Sequence, residues 1–121
     1  MHKRVSLINN SNTIIYISVH ANYYPSQKVK GAQVFYKNSE QNRILSNYIQ
    51  TYLNSVIGNN RKEKTIKEKY LTDNIKHTGC LVEVGFLSNK DEEIKLKDDL
   101  YQNNIAYCIY LGILSYLEQL R

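Results

Sequence analysis

Glu83 stands inside the apolar run Cys80-Leu81-Val82-Glu83-Val84, and Gly85 follows at once. A short apolar run bounded by glycine reads as a buried strand. A carboxylate held among Val and Leu side chains is costly unless something uses it. The segment therefore asks for a sheet with covered faces and a pocket at a strand end. Ile14-Ile15-Tyr16-Ile17-Ser18-Val19 makes a second run, rich in β-branched and aromatic residues and closed by His20. It reads as a strand buried on both faces. Gly31 opens a third, Ala32-Gln33-Val34-Phe35-Tyr36.

Helical patterns lie between and after these runs. Residues 3–11 read as the polar tail of a helix. Asn38, with Gln41 three residues on, predicts a helix start. The helix behind it carries Ile44, Leu45, Tyr48, Ile49, Tyr52, Leu53, Val56 and Ile57 at steps of three and four, so one face is apolar. Gly58 suits the left-handed position just past its end. A charged loop follows, with a possible short strand near Tyr70-Leu71. Asn89 with Glu92 marks another helix start, and Asp91, Glu92 and Glu93 suit the positive end of its dipole. A last helix begins near Asp98-Asp99, with Ile105, Cys108, Ile109, Gly112, Ile113, Tyr116, Leu117 and Leu120 on its apolar face. Strands alternating with helices predict an α/β architecture, in one domain over residues 1–121. In such sheets chemistry gathers beyond the carboxyl ends of the strands. His20 and Glu83 both fall at or next to such ends.

Charge and composition narrow the function classes. Sixteen Lys and Arg against 11 Asp and Glu give a net charge of +5, which suits an anionic partner. The basic cluster from Arg61 to Lys69 is interleaved with Glu, as in a solvated loop. A nucleic-acid binder would need basic residues on one face with exposed aromatics. Most of the 11 Tyr instead fall in strands or on apolar helix faces. Cys80 and Cys108 form no Cys-x-x-Cys pair and read as buried free thiols. No stretch is apolar enough to span a membrane. Met1-His2-Lys3-Arg4-Val5-Ser6 is followed by neither an apolar core nor a cleavage site, so it does not read as a signal peptide.

Ser18-Val19-His20-Ala21-Asn22 and Leu81-Val82-Glu83-Val84-Gly85-Phe86-Leu87-Ser88-Asn89, with Arg4-Val5 and Asn9 upstream, together resemble the zinc-dependent N-acetylmuramoyl-L-alanine amidases of the type 3 family. The resemblance runs from about Arg4 into the last helix and takes in Gly31, the Ser39-led helix and Arg61. It departs at Thr78-Gly79-Cys80, where relatives place a proline before the strand. It implies that His20 is a zinc ligand and that Glu83 is the general base. Burial beside Leu81, Val82 and Val84 would raise the pKa of that base toward the working pH. Asn22 either contacts substrate or shapes the turn, which Asn favours by itself. His77 has no counterpart as a ligand.

The family's full domain opens with a strand ending in a His-containing, Gly-rich turn, followed by a helix bearing a Glu. Both residues bind zinc, and neither has a matching position here. The fold implied is thus an incomplete three-layer α/β/α sheet lacking the N-terminal strand and helix. The implied function is hydrolysis of the amide bond between N-acetylmuramic acid and L-alanine in bacterial peptidoglycan, by a truncated form that is inactive alone. The setting is extracellular or in the cell envelope. The partners implied are peptidoglycan and a complementing N-terminal segment. The alternative is a non-catalytic remnant that binds cell wall or a partner. Loss of the first strand further implies an exposed sheet edge, exposed apolar helix faces and marginal stability.

Overall fold

The computed structural model describes residues 2–12, 14–66 and 74–120. Helix α1 (His2–Asn9) leads into strand β1 (Ile15–Asn22). After the Pro25 loop come β2 (Gln33–Tyr36), α2 (Glu40–Ile57) and β3 (Lys64–Thr65). Strand β4 (Thr78–Phe86), α3 (Lys90–Leu96) and α4 (Asp99–Gln119) complete the order. The expected strand near Tyr70-Leu71 lies outside the described residues.

The four strands form one mixed sheet in the order β1-β4-β2-β3. β1 runs parallel to β4, β2 antiparallel to β4, and β3 parallel to β2. Side chains alternate between the two faces of a strand. Ile15 and Ile17 of β1, Val34 and Tyr36 of β2, and Cys80 and Val82 of β4 pack with Leu45, Ile49 and Leu53 of α2 and Cys108 and Tyr116 of α4. On the other face Tyr16 packs with Val5 of α1 and with Ile75. The result is the expected α/β/α layering, with α2 and α4 on one side and α1 on the other. Leu45, Ile49 and Leu53 are wholly buried, and burial of such a side chain contributes roughly 1.5–3 kcal/mol.

Several boundaries differ from the sequence expectation. The cap of α2 is Ser39, whose side chain accepts from the Asn42 N–H, and not Asn38. Gly58 takes the expected left-handed conformation at φ 67° and donates its N–H to Asn54 O. β4 begins before Cys80 and continues through Gly85 to Phe86, so the turn falls at Leu87-Ser88 and not at the glycine. Phe86 is buried, whereas Leu87 is exposed. Leu117 and Leu120, placed on the inward face of α4 by periodicity, are also exposed. Both cysteines are free and buried, and burial pushes the Cys80 thiol up to about 12.

Buried polar side chains of α2 join the helix layer to the sheet. Gln50 accepts from Val34 N–H (2.8 Å) and donates to Ala32 O (3.1 Å). Asn42 accepts from Gly79 N–H (2.9 Å) and donates to Lys37 O (3.0 Å). Gln50→Leu keeps the volume but orphans the buried Val34 N–H, at a cost of about 1–3 kcal/mol, while Ala32 O keeps its bond from Asn59 Nδ2 (2.7 Å). Urea denaturation is expected to show that loss as a lower midpoint with an unchanged slope.

The two sheet edges contrast. β3 is two residues long, and both, Lys64 and Thr65, are exposed. β1 is eight residues long and pairs only with β4 among the described residues. Ile14 just before it and Val19 within it are exposed. On the same side of the molecule α4 carries no charged residue from Leu100 to Leu117. Tyr107, Tyr110, Leu114 and Leu117 form an outward apolar stripe along it. A helix apolar on every face is ordinarily a buried one.

Candidate active site at the ends of β1 and β4

The parallel pairing of β1 with β4 sets His20 directly beside Glu83. Facing pairs in the register share a face, and alternation puts this pair on the side away from α2 and α4. Gln33 of β2 is the partner of Glu83 on its other side. An imidazole, a carboxylate and an amide thus stand in a row across three strands, at the carboxyl ends of β1 and β4.

Glu83 is 3% exposed. It lies in the middle of the sheet, and its neighbours along β4, Val82 and Val84, turn toward the apolar core. His20 is half-buried, and its Nε2 lies 3.0 Å from the Ser18 hydroxyl two residues back on the same face. The pairing shifts between His20 and Asn22, where β4 advances three residues, from Glu83 to Phe86, against two on β1, so the bulge lies on β4 at Val84-Gly85. Bulges commonly re-aim side chains next to functional sites. Asn22 Oδ1 accepts from Tyr23 N–H (2.8 Å), and Asn22 O accepts from Leu87 N–H (2.7 Å). Its described contacts are those of a turn residue. An apolar groove of about 560 Å³ lies on the opposite, α4-facing side of the sheet from the Glu83 carboxylate and runs from the His20-Ala21 end of β1 past Val84 and Tyr101 to Ile105 and Ile109 of α4. Tyr101 closes its floor by donating to Val84 O (2.7 Å), and burial pushes that phenol up to about 12.

His77 sits at the opposite end of β4, where its Nε2 lies 3.4 Å from Asn9 O. Asn9 also donates to Asn74 O and accepts from Lys76 N–H, so it ties α1 to the chain entering β4. Among the described residues no three or more His, Cys, Asp or Glu side chains are grouped to hold a metal ion. A catalytic zinc takes three protein ligands and an open position. His20 and Glu83 on their own do not fit that set.

One residue near the site was read from sequence only as a helix-start marker. Glu92 is 5% exposed. Its backbone N–H is capped by Asn89 Oδ1 as expected. Its carboxylate, however, accepts from Gly31 N–H (2.9 Å) and Phe86 N–H (3.0 Å). The capping-box signature told where α3 starts. It could not tell that the acid reaches a turn 61 residues away.

The framework is that of a cell-wall amidase catalytic domain. A family model described as N-acetylmuramoyl-L-alanine amidase matches residues 1–115, and the chain belongs to that family. The germination-specific N-acetylmuramoyl-L-alanine amidase of Bacillus subtilis is 44% identical over 121 residues, covering 98% of this chain and 51% of the relative. The CwlD amidase of Clostridioides difficile, solved in complex with the GerS lipoprotein, superposes with a TM-score of 0.92 at 38% identity, over 97% of this chain and 61% of that one. An N-acetylmuramoyl-L-alanine amidase from Clostridium difficile 630 gives 0.90 at 26% identity, over 97% and 64%. The chain therefore spans about half the length of the curated relative and under two thirds of these solved chains.

Proposed function

We propose that this chain carries the base-bearing part of a peptidoglycan amidase site, one that hydrolyses the amide between the lactyl group of N-acetylmuramic acid and L-alanine. The observation that carries the reading is the register pairing of His20 with the buried Glu83 inside a framework shared with amidases. Glu83 takes a proton from the attacking water as the water oxygen bonds to the lactyl carbonyl carbon. It returns that proton to the departing alanine nitrogen as the C–N bond breaks. The products are a free muramic acid carboxyl and a free stem peptide. The metal proposed is zinc, with His20 as one ligand. Further donors have to come from outside these residues, so no step is assigned to the metal. Such a substrate places the protein in the cell envelope or outside the cell.

The open β1 edge and the apolar stripe of α4 support a complementing segment that adds to the sheet beside β1. The C. difficile relative was solved in complex with a lipoprotein, which supports a protein partner for this chain as well. The test mixes the chain with the part of the B. subtilis relative that it does not match, together with purified peptidoglycan. Zinc-dependent release of new alanine amino termini, abolished by chelation, is the expected result. A second reading, a non-catalytic wall-binding remnant, draws on the lack of a metal-ligand cluster among the described residues. It predicts wall pull-down that neither chelation nor Glu83→Gln changes, with no release of amino termini.

A further inference from the structure

The Lys30–Gly31 peptide group is held from both sides by oppositely charged side chains. Its carbonyl oxygen accepts from Arg61 Nε (3.1 Å) and Nη2 (2.6 Å). Its N–H donates to Glu92 Oε1 (2.9 Å). Both holders also grip the end of β4. Glu92 Oε1 accepts from Phe86 N–H (3.0 Å), and the Arg61 guanidinium lies 5.7 Å from the centre of the Phe86 ring. Arg61 Nη1 further donates to Gln33 Oε1 (3.2 Å), the side chain of the residue paired with Glu83.

We propose that Glu92 and Arg61 are positioning residues, clamping the turn before β2 to the end of β4 so that Gln33 and Glu83 stay in register and the Glu83 carboxylate keeps one orientation. The proposal rests on the reading of Glu83 as general base and adds the residues that aim it. Three features argue for it. Glu92 is a buried acid whose two backbone partners lie in separate segments, one in the turn two residues before Gln33 and one on β4 three residues after Glu83. Charge-assisted bonds of this kind are about twice as strong as neutral ones. Gly31 has φ +106°, and a Cβ there would stand 3.0 Å from Arg61 Nε and 3.1 Å from Asn59 Oδ1. The turn is thus built around the guanidinium, and a side chain at position 31 would push it out. The clamp also spans the point where the pairing becomes irregular, the Asn22–Phe86 corner beyond His20–Glu83. At that point ladder bonds fix the strand end least.

The test is made on the isotopically labelled chain itself at fixed pH. It needs neither substrate nor metal, so its outcome is separate from that of the amidase reading. Amide exchange at Gly31 and Phe86 reports the clamp, with Val34 as the internal reference. Three-bond couplings across Cα–Cβ of Glu83 report its rotamer. Glu92→Ala is expected to speed exchange at both amides at least about tenfold relative to Val34. It is also expected to turn one Glu83 rotamer into an average. Glu92→Gln, which keeps an acceptor oxygen, should restore most of the single rotamer. Arg61→Lys, which keeps charge but loses the planar fork, should loosen Gly31 less than Glu92→Ala does. Glu93→Ala, on the exposed side of α3, should change none of these. Unchanged exchange in Glu92→Ala overturns the clamp. Faster exchange with an unchanged Glu83 rotamer overturns the positioning role and leaves only a structural one. In the zinc-loaded mixture with the added amidase segment, Glu92→Ala should lower kcat for peptidoglycan cleavage about 10–100-fold with KM within about twofold. A change in KM alone also overturns the proposal.

Discussion

Glu83→Gln, in a zinc-loaded mixture of this chain and the added amidase segment that cleaves peptidoglycan, is expected to lower kcat by about 10²–10⁴-fold while KM changes little. The substitution is nearly isosteric, so the packing around a side chain that is 3% exposed stays in place. What is lost is the ability to take a proton. Gln has no basic oxygen at neutral pH, and the water must then attack with its proton still attached. His20 stays beside position 83 in the register, so metal binding measured by calorimetry should survive the change. That separates the proposed base from the proposed ligand. His20→Ala should show the reverse order, with metal affinity falling first. Glu83→Gln retaining activity within a factor of a few would remove Glu83 from the reaction.

Gly112→Val should be the most damaging single change for folding. Gly112 is buried in α4 where that helix crosses α2. A Cβ at this position would stand 2.9 Å from the Ile49 backbone Cα and 3.0 Å from its backbone N, with the Ile49 side chain closer still. Backbone cannot move aside as a flexible side-chain tip can, so the two helices must separate along their shared length. Overpacking of a tight core costs about 1–3 kcal/mol and sometimes more. A domain of this size has of order 5–15 kcal/mol in total. Gly112→Ala should fall in the lower part of that range, because alanine's better helix propensity returns up to about 1 kcal/mol. Gly112→Val should lower the midpoint of the urea transition seen by circular dichroism well below that of the parent and of Gly112→Ala. A Val variant as stable as its parent would mean that α2 and α4 do not approach closely at this point.

How much of this was legible depended on how local each signal is. The strand at Glu83, the imidazole at position 20 and the amphipathic stretch behind Ser39 are written in consecutive residues, and the structure places all of them as strands and helices in an α/β sheet. Asn38 and Ser39 are both good cap residues, and only the Asn42 N–H, pointing at Ser39, selects between them. Gly85 reads as a turn because glycine ends strands so often, yet β4 continues because Phe86 has a buried site to fill. Periodicity found the inward face of α4 correctly through Ile105, Cys108, Gly112 and Tyr116. It could not show that Leu117 lies outside, because a helix with no charged residue along 18 positions offers no polar face to mark the outside. The long-range roles of Gln50, Asn42, Arg61 and Glu92 were hidden for a different reason. Each joins segments far apart in sequence, and nothing in the local pattern says which backbone group a side chain will meet.

The unequal borders of the sheet give the molecule a direction of growth. On the β3 side two solvated residues bring the sheet to a close among the described residues. On the β1 side eight residues of ladder stand ready for another strand, next to an oily helix surface that water covers poorly. In handling the protein, the expected outcome depends on what reaches that border first: a strand that extends the ladder, or another copy of the chain, with aggregation as the result.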